Sequence, residues 1–101
     1  MSAKVLRKFF LGFISIHILH HASKEPIYGL WMIDELKRHG YNLSAGTLYP
    51  ILHSMEKDVL LLVEERNVDG KIRKYYMITE QGRVVLKEAR NKAFELFKEM
   101  K

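Results

Sequence analysis

A chain of 101 residues, 48% apolar and 29% charged, has room for one small domain with a modest core, but not for a doubly wound sheet with a separate cofactor domain. Its formal net charge of +5 favours polyanionic partners such as nucleic acid or an acidic membrane surface. With no cysteine, disulfides, thiolate nucleophiles and cysteine-type zinc sites are excluded, which fits a reducing compartment such as the cytoplasm.

Near the start, Lys4, Arg7 and Lys8 precede the apolar run "FFLGFISIHIL" (residues 9–19). That order resembles a secretory signal, but "HHASKE" follows without a small-x-small cleavage site, and the run is too short to span a bilayer. A buried helix is the better reading. Ser2 is a candidate N-cap, and from Val5 to Leu19 apolar residues crowd almost every turn, so this first helix needs a partner as well as a core. Phe9, Phe10 and Phe13 are its expected interface residues. Pro26 disfavours helical geometry at Glu25 and suits the first turn of a second helix, over about residues 26–39, which Gly40 stops. On a helical wheel Leu30, Met32, Ile33 and Leu36 share one arc, Asp34, Glu35 and Arg38 lie opposite, and Trp31 falls with the polar set.

The stretch "NLSAGTLYPILHSMEK" (residues 42–57) predicts a third helix after Ser44, with Leu48, Ile51, Leu52 and Met55 on its core face. Gly46, Pro50, His53 and Lys57 fall on the outward face, flanked by Thr47 and Tyr49. Gly46 admits close approach of another backbone, and Pro50 is near enough to the helix start to be tolerated. The hydroxyls of Ser44, Thr47 and Tyr49 surround a helix N-terminus, which favours a phosphate. Taken alone, this stretch is equally well read as a cap, a helix start and an edge aromatic.

Residues 59–66 and 71–78 read as two strands around a turn at Asp69-Gly70. Arg66, Lys71, Arg73 and Lys74 face only Asp69 near the tip, and a basic hairpin after helix-turn-helix elements reads as a wing on a phosphate backbone. Thr79 then caps a last helix, residues 80–101, with Leu86, Ala89, Ala93, Leu96, Phe97 and Met100 in one stripe. That stripe predicts a homodimer in which the first and last helices pack between subunits; the plainer alternative is packing on its own core. The expected fold is mainly α (α+β): one winged helix-turn-helix domain, residues 1–101, with N- and C-terminal dimerisation helices.

His17, His20 and His21 stand at i, i+3 and i+4 with Glu25 nearby. Without further ligands this spacing is weaker than a reading as histidines packed beside an interface, so no metal is assigned; a pH-sensitive interface is an intermediate reading. Phosphate-binding glycine loops, nucleophile elbows and paired-carboxylate motifs are absent, so neither catalysis nor a cofactor is expected.

The segments "PIYGLWMIDEL", "LSAGTLYPILHSMEKDVLL" and "RKYYMITEQGRVVL" resemble the PadR-like winged-helix transcriptional regulators over roughly residues 10–90, in order and spacing. The resemblance implies a dimeric, cytoplasmic repressor that binds double-stranded DNA, of the short branch with a single C-terminal helix. By position, Ser44, Thr47, Tyr49 and Pro50, with Arg73, Lys74 and Tyr75, match the motif regions associated with DNA contact. Some members of that branch bind flat aromatic compounds between subunits. Trp31 stands where the family often has a charged residue, and is read as a dimer contact, part of an effector pocket or an isolated surface aromatic. A winged-helix module that binds protein instead of DNA is the rival from another class, and salt-dependent DNA affinity separates the two.

Overall fold

The computed structural model describes residues 2–101, without the Ser2 side chain, so capping by Ser2 lies outside the described residues. Four helices and an antiparallel hairpin follow in the order α1 (Ser2–Lys24), α2 (Gly29–Arg38), α3 (Ala45–Lys57), β1 (Leu61–Val68), β2 (Lys71–Ile78) and α4 (Glu80–Met100). This is the mainly helical winged fold that the sequence predicts. Its core is one cluster: Ile14, Ile18, Leu19 and Ala22 of α1 meet Met32 and Leu36 of α2, Leu48, Leu52 and Met55 of α3, and Leu61 and Tyr76 of the hairpin. Each large side chain buried there contributes roughly 1.5–3 kcal/mol.

The second helix starts at Gly29, three residues later than Pro26, because Ile27 is used otherwise. Its N–H donates to the Tyr76 carbonyl (3.0 Å) and its carbonyl accepts from the Tyr76 N–H (2.7 Å), which adds a rung beside the hairpin. Gly40 does end α2 in the left-handed region (φ +88°), with the Gly40 and Tyr41 N–H groups donating to the carbonyls of Lys37 and Leu36. The end of α3 repeats this closure with Val59 at φ +63° and the Leu60 N–H on the Met55 carbonyl. Residues 59 and 60 therefore close a helix, and the first strand begins at Leu61 instead of Val59.

The wheel misplaces three residues of α2. Leu30, read as core, is 60% exposed, because it sits in the first turn beyond the reach of the main cluster. Glu35, read as outward, is only 8% exposed. Its Oε1 accepts from Arg38 (2.8 Å), while Oε2 faces His39 Nε2 (3.1 Å) and His21 Nε2 (3.4 Å). Burial alone would raise the Glu35 pKa, but the hydrogen bond to His39 and the charge of Arg38 outweigh it and hold the carboxyl below its ordinary value. Trp31, read with the polar set, is half-buried against the core with its ring edge-to-face on His21 at 5.3 Å.

Thr79 staples the last helix to the rest. Its hydroxyl accepts from the Gly82 N–H (2.9 Å) as an N-cap and donates to the Val59 carbonyl (2.6 Å), while its own N–H donates to the Leu60 carbonyl (3.1 Å).

Candidate nucleic-acid interface

On α3, Leu48, Leu52 and Met55 are buried, and Gly46, Pro50, His53 and Lys57 are exposed, as the apolar spacing predicts. The helix runs unbroken through Pro50. The N–H that Pro50 lacks would have met the carbonyl of Gly46, in the first turn, where the disruption is least. A Cβ at Gly46 would touch only the Ser44 hydroxyl, at 3.7 Å, so the low profile of this turn faces open space. Ser44 occupies the N-cap position in extended backbone, but its side chain caps no N–H. Its Oγ lies 3.4 Å from Thr47 Oγ1 instead, so two hydroxyls stand together at the positive end of the helix.

The hairpin turns at Asp69 (φ +53°) and Gly70 (φ +82°), the left-handed pair of a two-residue turn whose twist matches the strands. Its register sets Val68 opposite Lys71, Arg66 opposite Arg73 and Glu64 opposite Tyr75. These six share one face, whereas Lys74, paired with Glu65, belongs to the other. Two arginines directly across a strand pair should repel. Aromatic faces offset this, with the Arg66 guanidinium 4.5 Å from the Tyr75 ring centroid and that of Arg73 4.1 Å from the Tyr28 ring centroid. Tyr28 and Tyr75 meet edge-to-face at 5.5 Å.

Between these elements lies an open cleft of about 520 Å³, lined by Tyr28, Gly29 and Leu30 from the start of α2, Tyr49 from α3, and Val68, Asp69, Lys71, Ile72, Arg73 and Lys74 from the wing, three cations against one carboxylate. Hydroxyl, aromatic and cationic groups from three elements thus border one concave surface, and cations there suit a phosphate backbone.

A family model described as "Transcriptional regulator PadR-like family" matches residues 18–88. The chain belongs to this family. Among proteins similar to this PadR-like regulator, "Transcriptional regulator Rv3488" of Mycobacterium tuberculosis is 46% identical over 95 residues, covering 94% of this chain and 89% of its own length. A crystal structure of a PadR family transcriptional regulator from Eggerthella lenta superposes with a TM-score of 0.82 at 30% identity, covering 98% of this chain and 88% of that one. A PadR-like transcriptional regulator from Bacillus cereus gives 0.81 at 31% identity, covering 88% of each chain. The protein is therefore a PadR-like transcriptional regulator with the winged-helix fold of that family.

In this PadR-like regulator the predicted contact residues divide into two groups. Tyr49, Lys71, Arg73 and Lys74 line the cleft, while Ser44, Gly46, Thr47, Pro50, His53, Lys57, Arg66 and Tyr75 lie outside its lining. Sequence reasoning missed Tyr28 and Leu30 as cleft residues. Its signal was an aromatic just before a glycine at a helix start, legible only once the Ile27 bridge brings that start against the wing.

Helices α1 and α4 carry a second set of exposed apolar side chains. Phe9 and Phe10 are exposed, Phe10 packing on Tyr41 with centroids 6.0 Å apart. Phe13 and Ile16 of α1 border an apolar groove of about 450 Å³ with Leu86, Ala89, Ala93 and Phe97 of α4. Leu96 and Met100 are exposed beyond it. Phe94, which the predicted stripe omits, lines the same groove and is 64% exposed. Trp31 lines neither surface.

Proposed function

We propose that this regulator is a repressor that binds double-stranded DNA as a two-fold homodimer, each α3 entering a major groove and each wing lying on the flanking backbone. The observation that carries this reading is the shared cleft, in which Tyr49 of the reading helix and Lys71 and Arg73 of the wing border one surface. Ser44, Gly46, Thr47 and Pro50 would meet the groove at the helix start, with His53 and Lys57 further along and Arg66, Lys74 and Tyr75 on the wing. Two copies of α3 about 10 base pairs apart require an operator with inverted repeats.

The exposed apolar faces support the dimer. The chain exposes 7520 Å², against roughly 6,000 Å² for a compact monomer of its mass. Phe9, Phe10, Phe13, Leu86, Ala89, Ala93, Leu96, Phe97 and Met100 are the residues we assign to that interface, in one unit spanning residues 1–101. We extend the reading to release by a flat aromatic effector held between subunits and to a cytoplasmic location; Trp31, which lines neither surface, is not assigned to the effector. Among the described residues, no helix is long and apolar enough to cross a membrane.

Titrating the protein into a fluorescent duplex of its own upstream region, and into a scrambled duplex, at two salt concentrations tests the reading. Salt-sensitive binding at least about tenfold tighter to the upstream duplex supports it. Absence of binding to either duplex at low salt overturns it in favour of a winged-helix module for a protein partner.

A further inference from the structure

The structure collects at the α1–α2 crossing what the sequence keeps apart. His17 and His21 stand at i, i+4 on α1, while Glu35 and His39 stand at i, i+4 across the end of α2, so each pair presents one face to the other. One ring nitrogen from each of His17, His21 and His39 lies within 4.8 Å of the other two. The histidine and carboxylate that the spacing of the sequence offered, His20 and Glu25, are both exposed, and neither belongs to this group.

We propose that His17, His21, His39 and Glu35 form a site for one divalent transition ion, with zinc the best match, that clamps α1 to α2. Ligands 2.0–2.1 Å from a tetrahedral zinc are about 3.3 Å from one another. Glu35 Oε2 already stands 3.4 Å from His21 Nε2 and 3.1 Å from His39 Nε2, close to two edges of such a tetrahedron. Arg38 holds the other oxygen, Oε1, at 2.8 Å and so fixes the carboxylate with Oε2 toward the imidazoles, an outer-shell role common at metal sites. His39, half-exposed at the helix end, leaves the site open to solvent on one side. Burial, chiefly, pulls His17 and His21 below the ordinary imidazole value, and neutral rings are the ones that ligate. Three imidazoles and a carboxylate suit zinc, cobalt or nickel better than magnesium or calcium, which prefer oxygen alone.

The single tryptophan reports on the site, since Trp31 stands 5.3 Å from the His21 ring. Tag-free protein stripped with chelator is titrated with zinc, read by Trp31 fluorescence and calorimetry, and with cobalt, read by visible absorption. The expected result is one ion per chain, an intense tetrahedral cobalt spectrum, and affinity reduced at least about tenfold in His39→Gln and His21→Gln but unchanged in His20→Gln and His53→Gln. His39 is exposed, so its replacement leaves the fold intact, checked by circular dichroism. Failure of the wild-type protein to bind zinc or cobalt, or equal affinity in His39→Gln and wild type, overturns the proposal and leaves the cluster as an ion-pair network around Glu35. No readout involves DNA, so the outcome is independent of the operator experiment.

Discussion

Tyr49 of α3 lies directly over Gly29 at the start of α2: a Cβ on Gly29 would overlap the phenol hydroxyl and stand 2.6 Å from its Cζ. The two helices of the reading motif thus meet where one has no side chain. In Gly29→Ala the ring yields before the backbone does, because Tyr49 is 42% exposed and has space to swing out. Stability should change by no more than about 1 kcal/mol, the helix propensity gained offsetting the displaced ring. Operator affinity should fall several-fold, as for loss of one contact of about 1 kcal/mol or more. Thermal melting and duplex binding on the same sample check both halves.

Gly82→Ala has the opposite character. There the new Cβ would meet the Leu60 carbonyl oxygen and come within 2.7 Å of Ile78 Cγ1, and a backbone carbonyl has nowhere to go. A loss of about 2–3 kcal/mol in urea unfolding is expected. An unchanged midpoint would show that the start of α4 is looser than its hydrogen bonds indicate.

Val59 closes α3 in the left-handed region although its branched side chain disfavours it, and 55% of it is exposed. Val59→Gly should therefore stabilise the protein by about 0.5–1 kcal/mol, the relieved strain exceeding the entropy added to the unfolded chain. The midpoint of chemical denaturation measures this directly.

Arg73→Gln removes a guanidinium that Tyr28 holds at the cleft. Affinity should drop about equally for specific and scrambled duplexes, and the slope of log affinity against log salt should shrink by about one. A drop confined to one sequence would assign Arg73 to a base edge instead.

Phe94→Glu places a charge in the apolar groove between α1 and α4. Sedimentation should then show monomers in place of the proposed dimer, and an unaltered mass would remove this face from the interface.

Much of this fold is legible in the sequence. The period of Leu48, Ile51, Leu52 and Met55, the Asp69-Gly70 turn, the stop at Gly40 and the cap at Thr79 are local signals, and each stands in the fold where the sequence places it. What escaped depends on contacts distant in sequence. Glu35 reads as a surface acid until His21 arrives from another helix to bury it, and Ile27 reads as helical until Tyr76 offers it a bridge. Val59 has the composition of a strand residue, yet its N–H on the Glu56 carbonyl and the Leu60 N–H on the Met55 carbonyl fix the backbone there.

The Thr79–Gly82 corner governs more than local stability. With Thr79 bonded to Val59, Leu60 and Gly82 at once, the chain passes from wing to α4 through a rigid elbow instead of a hinge. In the proposed dimer α4 is then a lever of 21 residues, about 31 Å long, fixed at the DNA-reading end. Tilting it by 5° displaces its far end by about 3 Å, nearly one base-pair step. The angle set at this elbow becomes the gauge that decides which half-site separations two linked subunits span.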